Sequence, residues 1–416
     1  MTENFYLARQ AIVDNNEAIL GYELLYRDST KKANIENPRH ATASLLTNVL
    51  NQSGLNSIVG SSLAFVNVDY SFLQHDFIES IPPKTFVFEL SVEEDTKGYL
   101  QENVERLHNK KYIFSIDVSS IEELNAVKKL APYLFFVKID MMSFEKEKLA
   151  EAIKELKEFP IIVIASKVED EETFVLCQKA GCNAYQGYFF AHPKLIKDKK
   201  LNTEQATLFK LCNVLQSGSS IPEIVHAFEE APTISMQLLR FINSAAFHFK
   251  HPISSIHQVV TLLGRGQLVQ WLMLLLYSKS FSPTFKYQDQ LIVMVKQRTL
   301  IMVNLMKMIK HDASQKEQSE AYFVGILSLM NALSGVPLKD ILEEFHVDTQ
   351  VEDALFDQKG FLGELYDVVL AVENFDTTVL ENFTVEHNIE TVKFEALMLD
   401  VFKDAIEFET AQESEQ

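Results

Sequence analysis

The strongest constraint on the fold is a series of short apolar segments set between polar, helix-compatible stretches. In chain order they are FYLARQAIV (from Phe5), AILGYELLYR (Ala18), LAFVNVD (Leu63), TFVFELS (Thr85), YIFSID (Tyr112), LFFVKID (Leu134), PIIVIAS (Pro160) and AYQGYFF (Ala184). Runs of this length, rich in β-branched and aromatic residues, read as strands, and stretches such as 145–158 read as the helices between them. Sustained alternation of this kind predicts an α/β barrel of the TIM type. The first two segments are joined only by VDNNEA. That link is too short for a parallel crossover, so the two are expected to pair as a hairpin and give the barrel an antiparallel first strand.

After HPKLIKDKKLN the strand signals stop, and helical spacing runs from TEQATLFKLCNVLQ to the C terminus with breaks at SGSSIP, KHPIS and SGVP. The expected division is a barrel over 1–195 and an all-α domain over 196–416, closing in an acidic tail, FETAQESEQ, that reads as solvated and disordered. A chain of 416 residues is too long for one ordinary core, and 47% hydrophobic content is enough for two. The longest apolar runs, WLMLLLY from Trp271 and PIIVIA from Pro160, fall short of the roughly 20 residues a membrane span requires. The start, MTENFYLARQ, lacks a basic region followed by an apolar one. The expectation is a cytoplasmic protein with no membrane insertion, in which Cys177, Cys182 and Cys212 are free thiols in or near a core. A formal charge of -20 argues against a nucleic acid polymer as partner, while a mononucleotide or dinucleotide can still find a locally basic site.

Polar residues recur toward the ends of the strand segments: Glu23, Asn67, Glu89, Asp117, Lys138 with Asp140, and Gln186. In FVKID the period of two puts Lys138 and Asp140 on one side of the strand. Taken singly, each polar residue is a strand end. Taken as a set, they predict a shared site at the C-terminal rim, where β/α barrels gather their chemistry. Its oxygen ligands suit Mg²⁺ or Mn²⁺ rather than zinc.

YELLYR, FVNVD, FVFELS, SIDVSS, FVKID, IVIASKVED and YQGYFFAHP resemble, in order and spacing, the motif series of EAL domains, phosphodiesterases that cut cyclic di-GMP to linear pGpG with two divalent metals. The resemblance implies metal ligands at Glu23, Asn67, Glu89 and Asp117. It also implies a lysine beside the attacking water at Lys138, the late glutamine of the site at Gln186 and a phosphate-contacting arginine at Arg27. In the second half, EEAPTISMQLLRFINSAAF, ISSIHQVVTLLGRGQLVQWLMLLL and GFLGELYDVVLAVENFD resemble the HDOD domain, a helical relative of HD metal-dependent phosphohydrolases that lacks their His-Asp ligand pair. Where an HD relative reads GLLHDIG, this chain runs Gly325, Ile326, Leu327, Ser328, Leu329, Met330, which implies no metal in this domain. The literal pair His311 and Asp312 reads as a helix end entering a loop. The implied fold is an EAL-type barrel with an antiparallel first strand, followed by an all-α HDOD domain.

The departures from the EAL pattern bear on activity. In place of DDFG the chain has Asp117, Val118, Ser119, Ser120, so the second metal carboxylate is missing. In place of AEGVE it has Ala165, Ser166, Lys167, Val168, Glu169, and ELTE becomes ELSV, ending in Val92. Ser166 has no basicity near neutral pH and cannot replace the glutamate that activates water. Lys167 adds a positive charge beside it. The expectation is one weak site holding at most one Mg²⁺ or Mn²⁺, and no useful catalysis. The barrel then acts as a cyclic di-GMP receptor or as a protein-interaction scaffold, with the HDOD domain meeting a protein partner. The competing expectation is an active cyclic di-GMP phosphodiesterase regulated by HDOD. A generic metal-dependent barrel enzyme such as an aldolase fits the antiparallel first strand and QGYFFAHP less well. VSSIEE, following Asp117, leaves the oligomeric state open.

Overall fold

Eight strands close into a barrel in sequential order: β1 (Phe5–Asp14), β2 (Ile19–Asp28), β3 (Leu63–Asn67), β4 (Phe86–Ser91), β5 (Ile113–Val118), β6 (Phe136–Asp140), β7 (Ile162–Ser166) and β8 (Ala184–Gln186). This computed structural model describes residues 5–16, 18–28, 54–68, 72–74, 78–79, 81–91, 100–189, 203–216, 218–243, 253–280, 288–345 and 347–413. β1 runs antiparallel to both β2 and β8, and every other pairing is parallel. The hairpin turn is held by Asp14, whose Oδ1 accepts from the backbone amides of Asn16 (2.8 Å) and Ala18 (2.9 Å), a local geometry to which Asp is suited.

Between the strands lie α1 (Leu55–Val59), α2 (Leu100–Asn109), α3 (Ile121–Val127), α4 (Leu149–Leu156) and α5 (Glu171–Ala180). Asp170 caps α5 by accepting from Thr173 N at 2.7 Å. Alternate residues of the strands fill the lumen. Ile12, Phe65, Val87, Phe136, Ile164 and Ala184 form one apolar layer from six strands, and Leu20, Leu63, Ile113 and Ile162 pack against it. Phe65 and Phe136 meet edge to face at 5.1 Å. Gly21 leaves room for this packing, since a Cβ there would lie 2.8 Å from the Phe65 ring and 2.6 Å from Leu63 O.

The chain divides into two units, one made of Met1–Pro193 with Val368–Gln416 and the other of Lys194–Asp367. The second unit is helical: α6 (Thr203–Gln216), α7 (Ile221–Glu229), α8 (Pro232–Ile242), α9 (Ile256–Ser280), α10 (Gln288–Ile309), α11 (Gln315–Leu327), α12 (Met330–Ser334), α13 (Leu338–Phe345), α14 (Thr349–Asp357) and the start of α15 (Gly360–Asn374). Ser314 and Glu317 cap α11 reciprocally, the serine hydroxyl accepting from Glu317 N and the glutamate accepting from Ser314 N. Asn243, the first residue of the NSA segment, clamps Ile253 with both ends of its amide, at 2.7 and 2.8 Å. The rest of that segment lies outside the described residues. Among the described residues no helix is long and apolar enough to cross a membrane.

The C-terminal segment differs from the expected single helical block over 196–416. From Val368 the chain groups with the barrel, adding α16 (Thr377–Glu386) and α17 (Thr391–Glu413). Tyr6 of β1 shares a 3.0 Å hydrogen bond with Thr384 and packs edge to face on Phe394. Arg9 lies over the rings of Tyr22 and Phe402 and donates to the carbonyl of Ile58. Phe394, Met398, Val401 and Phe402 are buried, and each such side chain stabilises by about 2 kcal/mol. The stretch read as an acidic, disordered tail continues α17 as far as Glu413, and only its last three residues lie outside those described.

Candidate functional site at the barrel mouth

One step above the apolar layer, the lumen turns polar. Gln10, Glu23, Asn67, Glu89, Asp117, Lys138, Ser166 and Gln186 stand on the eight strands at the C-terminal rim, and the register pairs Gln10 with Glu23, Asn67 with Glu89 and Asp117 with Lys138. Lys138 is central. Its ammonium lies 2.7 Å from Glu23 Oε2 and 2.8 Å from Glu89 Oε1, with 2% of the residue exposed. Glu23 gathers further donors: Asn67 Nδ2 reaches its Oε1 at 2.8 Å and Gln186 Nε2 its Oε2 at 2.7 Å. Gln186 Nε2 also donates to Gln10 Oε1 at 2.8 Å. Gln10 is the residue that sequence reasoning missed. The signal was the hairpin register, which sets it opposite Glu23.

The same burial acts differently on these carboxyls. Burial pushes Glu23 up, but the charge and hydrogen bond of Lys138, with the donors Gln186 and Asn67, outweigh it and hold the group at about 2. Glu89 is pushed well above the carboxylate range by burial and by the negative charge of Glu23, against the pull of Lys138. Asp117 rises to about 6 by burial, with Lys138 opposing and Glu23 reinforcing. Lys138 is shifted upward: burial works against its charge, and Glu23, Glu89 and Asp117 prevail.

The geometry shows where this charge is unmet. Among the described residues Glu89 Oε2 and Asp117 Oδ1 are buried without a hydrogen-bond donor, and the contact of Glu89 Oε1 with Lys138 is ionic, without hydrogen-bond alignment. Oxygens of this kind suit a hard divalent cation. Among the described residues no group of three or more His, Cys, Asp or Glu side chains is placed to hold a metal ion.

Val118 is 1% exposed and, by strand alternation, lies on the face opposite Asp117, paired with Ile139. Ser119 and Ser120 serve the start of α3: Ser119 N and Oγ donate to Glu123 Oε2 at 2.6 and 2.8 Å, and Ser120 Oγ accepts from Glu123 N at 3.2 Å. Ser166 closes β7 and donates its hydroxyl to Ile139 O at 3.2 Å. Lys167 follows with a φ of 55°, and its ammonium lies 2.8 Å from Asp140 Oδ2. Glu169 is exposed. The loop after β8 is pinned to the one after β7, Val168 N donating to Gln186 O and Phe189 N to Val168 O. Gly187 is needed there, since at its φ of 143° a Cβ would fall 2.1 Å from Val168 O. Arg27 sits in β2 paired with Tyr6, but its side chain is outside the described residues, as are Val92 and the end of QGYFFAHP.

In the helical unit, the resemblance sets Ser328 and Leu329 against the ligand pair of HD relatives. Ser328 Oγ accepts from Arg298 Nη1 at 3.0 Å, and that nitrogen also lies 3.3 Å from the Tyr366 hydroxyl. Leu329 is buried. His311 and Asp312 are exposed in the turn between α10 and α11.

Comparison with known proteins agrees with both halves. Residues 2–193 match the EAL domain family and residues 202–336 the HDOD domain family. A relative from Vibrio cholerae, "Cyclic di-GMP phosphodiesterase CdgJ", is 27% identical over 405 residues, covering 94% of this chain and 90% of its own. "Uncharacterized protein YuxH" of Bacillus subtilis is 24% identical over 379 residues, covering 89% and 92%. Among solved structures, the EAL domain of FimX from Pseudomonas aeruginosa, bound to c-di-GMP, is 20% identical with a TM-score of 0.35, covering 46% of this chain and 90% of that one.

Proposed function

We propose that this chain, an EAL domain joined to an HDOD domain, is a cyclic di-GMP signalling protein whose barrel takes up the dinucleotide with at most one Mg²⁺ or Mn²⁺ and does not turn it over usefully. The observation that carries the reading is the hydroxyl of Ser166. It occupies the place of a general base, has no basicity near neutral pH, and is already spent on the carbonyl of Ile139.

Within this reading each retained residue has a part. Glu89 and Asp117 would hold the ion through the oxygens that lack a donor, and the bound ion would neutralise phosphodiester charge. Lys138 keeps Glu23 and Glu89 from repelling one another, while Asn67 and Gln186 orient Glu23. Arg27 would meet a phosphate through its two-pronged guanidinium. Ground-state contacts are thus kept, whereas the groups of value mainly in the transition state are lost. The HDOD domain would carry the bound state to a protein partner, and the protein would work in the cytoplasm.

A second reading, an active phosphodiesterase, draws on the name of the Vibrio cholerae relative, which aligns with 94% of this chain. Full-length protein with Mg²⁺ or Mn²⁺ and cyclic di-GMP separates the two. The receptor reading expects calorimetric binding and no pGpG release above that of Glu23→Ala, which controls for contaminating enzyme. Repeated turnovers that Glu23→Ala abolishes would establish the second reading. Ser166→Glu is the informative revertant, since Val118→Asp would bury a carboxylate in the barrel wall. It is expected to raise turnover by about 10² at most, the low end of general-base assistance.

A further inference from the structure

We infer that Lys167 is a ligand-contacting cation of the barrel mouth, its ammonium taking a phosphodiester oxygen of the bound cyclic dinucleotide where a second divalent ion finds too few carboxylates. The inference rests on the receptor reading and deepens it.

Charge at the rim is the first argument. Glu23, Glu89, Asp117 and Asp140 face Lys138 and Lys167 there, an excess of two formal negative charges that one divalent ion would neutralise. Of the two lysines, Lys138 is buried between Glu23 and Glu89, whereas Lys167 is exposed, so Lys167 is the cation an entering phosphodiester can reach.

Position is the second argument. Lys167 has a φ of 55°, a left-handed conformation that the exposed Lys84 and Lys111 share. That conformation follows directly on Ser166, whose strand position pairs with Asp140 at the end of β6. The ammonium is thereby placed on Asp140 Oδ2 at 2.8 Å, at the mouth rather than on the outer wall. Availability is the third argument. The Lys167 side chain is 59% exposed, and an exposed pair of this kind is weakly held, so the ammonium can turn from Asp140 to an incoming phosphate.

The test is calorimetric titration of cyclic di-GMP into the full-length chain, in EDTA and in Mg²⁺, with thermal unfolding of each variant measured alongside. Wild type is expected to bind in EDTA, Lys167→Met to bind about tenfold more weakly with a flatter salt dependence, and Lys167→Arg to stay within about threefold of wild type. Lys167→Gly separates ligand contact from a structural role: it relieves the backbone and should unfold at a higher temperature, yet bind as weakly as the methionine variant. Equal affinity of wild type and Lys167→Met in EDTA would overturn the inference and leave the receptor reading standing. So would equal affinity of the two in Mg²⁺. No binding by wild type under either condition would remove the inference and the receptor reading together.

Discussion

Glu23 and Glu89 enter the same lumen from strands of the same barrel, touch the same ammonium, and behave in opposite ways. Glu23 holds its charge, at about 2, while Glu89 is driven well above the carboxylate range. Glu89 is the more deeply buried, 1% exposed against 9%, and the charge of Glu23 also pushes it up. Donor supply separates the two further. Glu23 receives hydrogen bonds from Lys138, Asn67 and Gln186, whereas Glu89 has an unaligned ionic contact and an oxygen with no donor. A buried carboxylate is stable as an anion where the chain completes its hydrogen bonds, and elsewhere it awaits a proton or a cation. One side of the mouth is satisfied by the chain, and on the other, among the described residues, buried carboxylate oxygens lack donors.

The largest effect should come from removing what both sides share. Lys138→Met leaves two buried carboxyls without their cation, and breaking a buried pair from one side costs about 3 to 5 kcal/mol. Urea unfolding at pH 7 should show a loss of that size for Lys138→Met, shrinking as the pH falls and the carboxyls take up protons. A loss below about 1 kcal/mol would mean that the mouth is solvated, and the contrast between the two glutamates would collapse with it.

Much of this was open to inspection in the sequence. Each strand of the barrel came from a short apolar run, because a half-buried strand has to alternate and a fully buried one has to be apolar along its length. The antiparallel start followed from the length of one turn. Placement of Glu23, Asn67, Glu89, Asp117, Lys138 and Gln186 at strand ends was legible for the same reason. Their partnering was not. Which of two glutamates is satisfied depends on rotamers and on Gln10, a residue that reads as an ordinary polar position until the hairpin register is counted. The return of the C-terminal helices to the barrel was hidden too. The periodicity of α16 and α17 records that one face is buried and says nothing of the surface that buries it, here Tyr6, Arg9 and Gly60 on the barrel side.

A smaller effect sharpens the comparison on the side that lacks donors. Asp117 is raised from 3.8 to about 6 in the fold. The folded protein therefore keeps a proton between those values that the unfolded chain has lost, and stability falls as pH rises through that window and stays lower above it. Asp117→Asn should remove about 2 kcal/mol of this fall between pH 4 and pH 7, as read by urea unfolding at the two ends. Saturating Mg²⁺ should reduce the wild-type fall as well, by taking the proton's place. Parallel pH profiles for wild type and Asp117→Asn would show that the carboxyl is ionised in the fold like any surface aspartate.

The smallest effect concerns the satisfied side, where Asn67 is the most exposed of the donors to Glu23. A hydrogen bond to a charged group is worth more than a neutral one, but water can partly replace this amide, so about 1 kcal/mol is expected at pH 7. Asn67 has contacts beyond Glu23, and truncating it alone mixes their loss with that of the hydrogen bond. The cycle of Asn67→Ala, Glu23→Gln and the double variant isolates the pair, and a coupling of about 1 kcal/mol is the expected result. The sign of the charge effect is fixed by the depressed value of Glu23: its stabilisation is complete above its ordinary 4.5 and is lost as pH falls toward 2. Coupling near zero at pH 7 would mean that Lys138 and Gln186 alone keep Glu23 ionised. Asn67 would then be free to turn its amide toward a ligand, and the satisfied side of the mouth would have one fewer fixed donor than the geometry gives it.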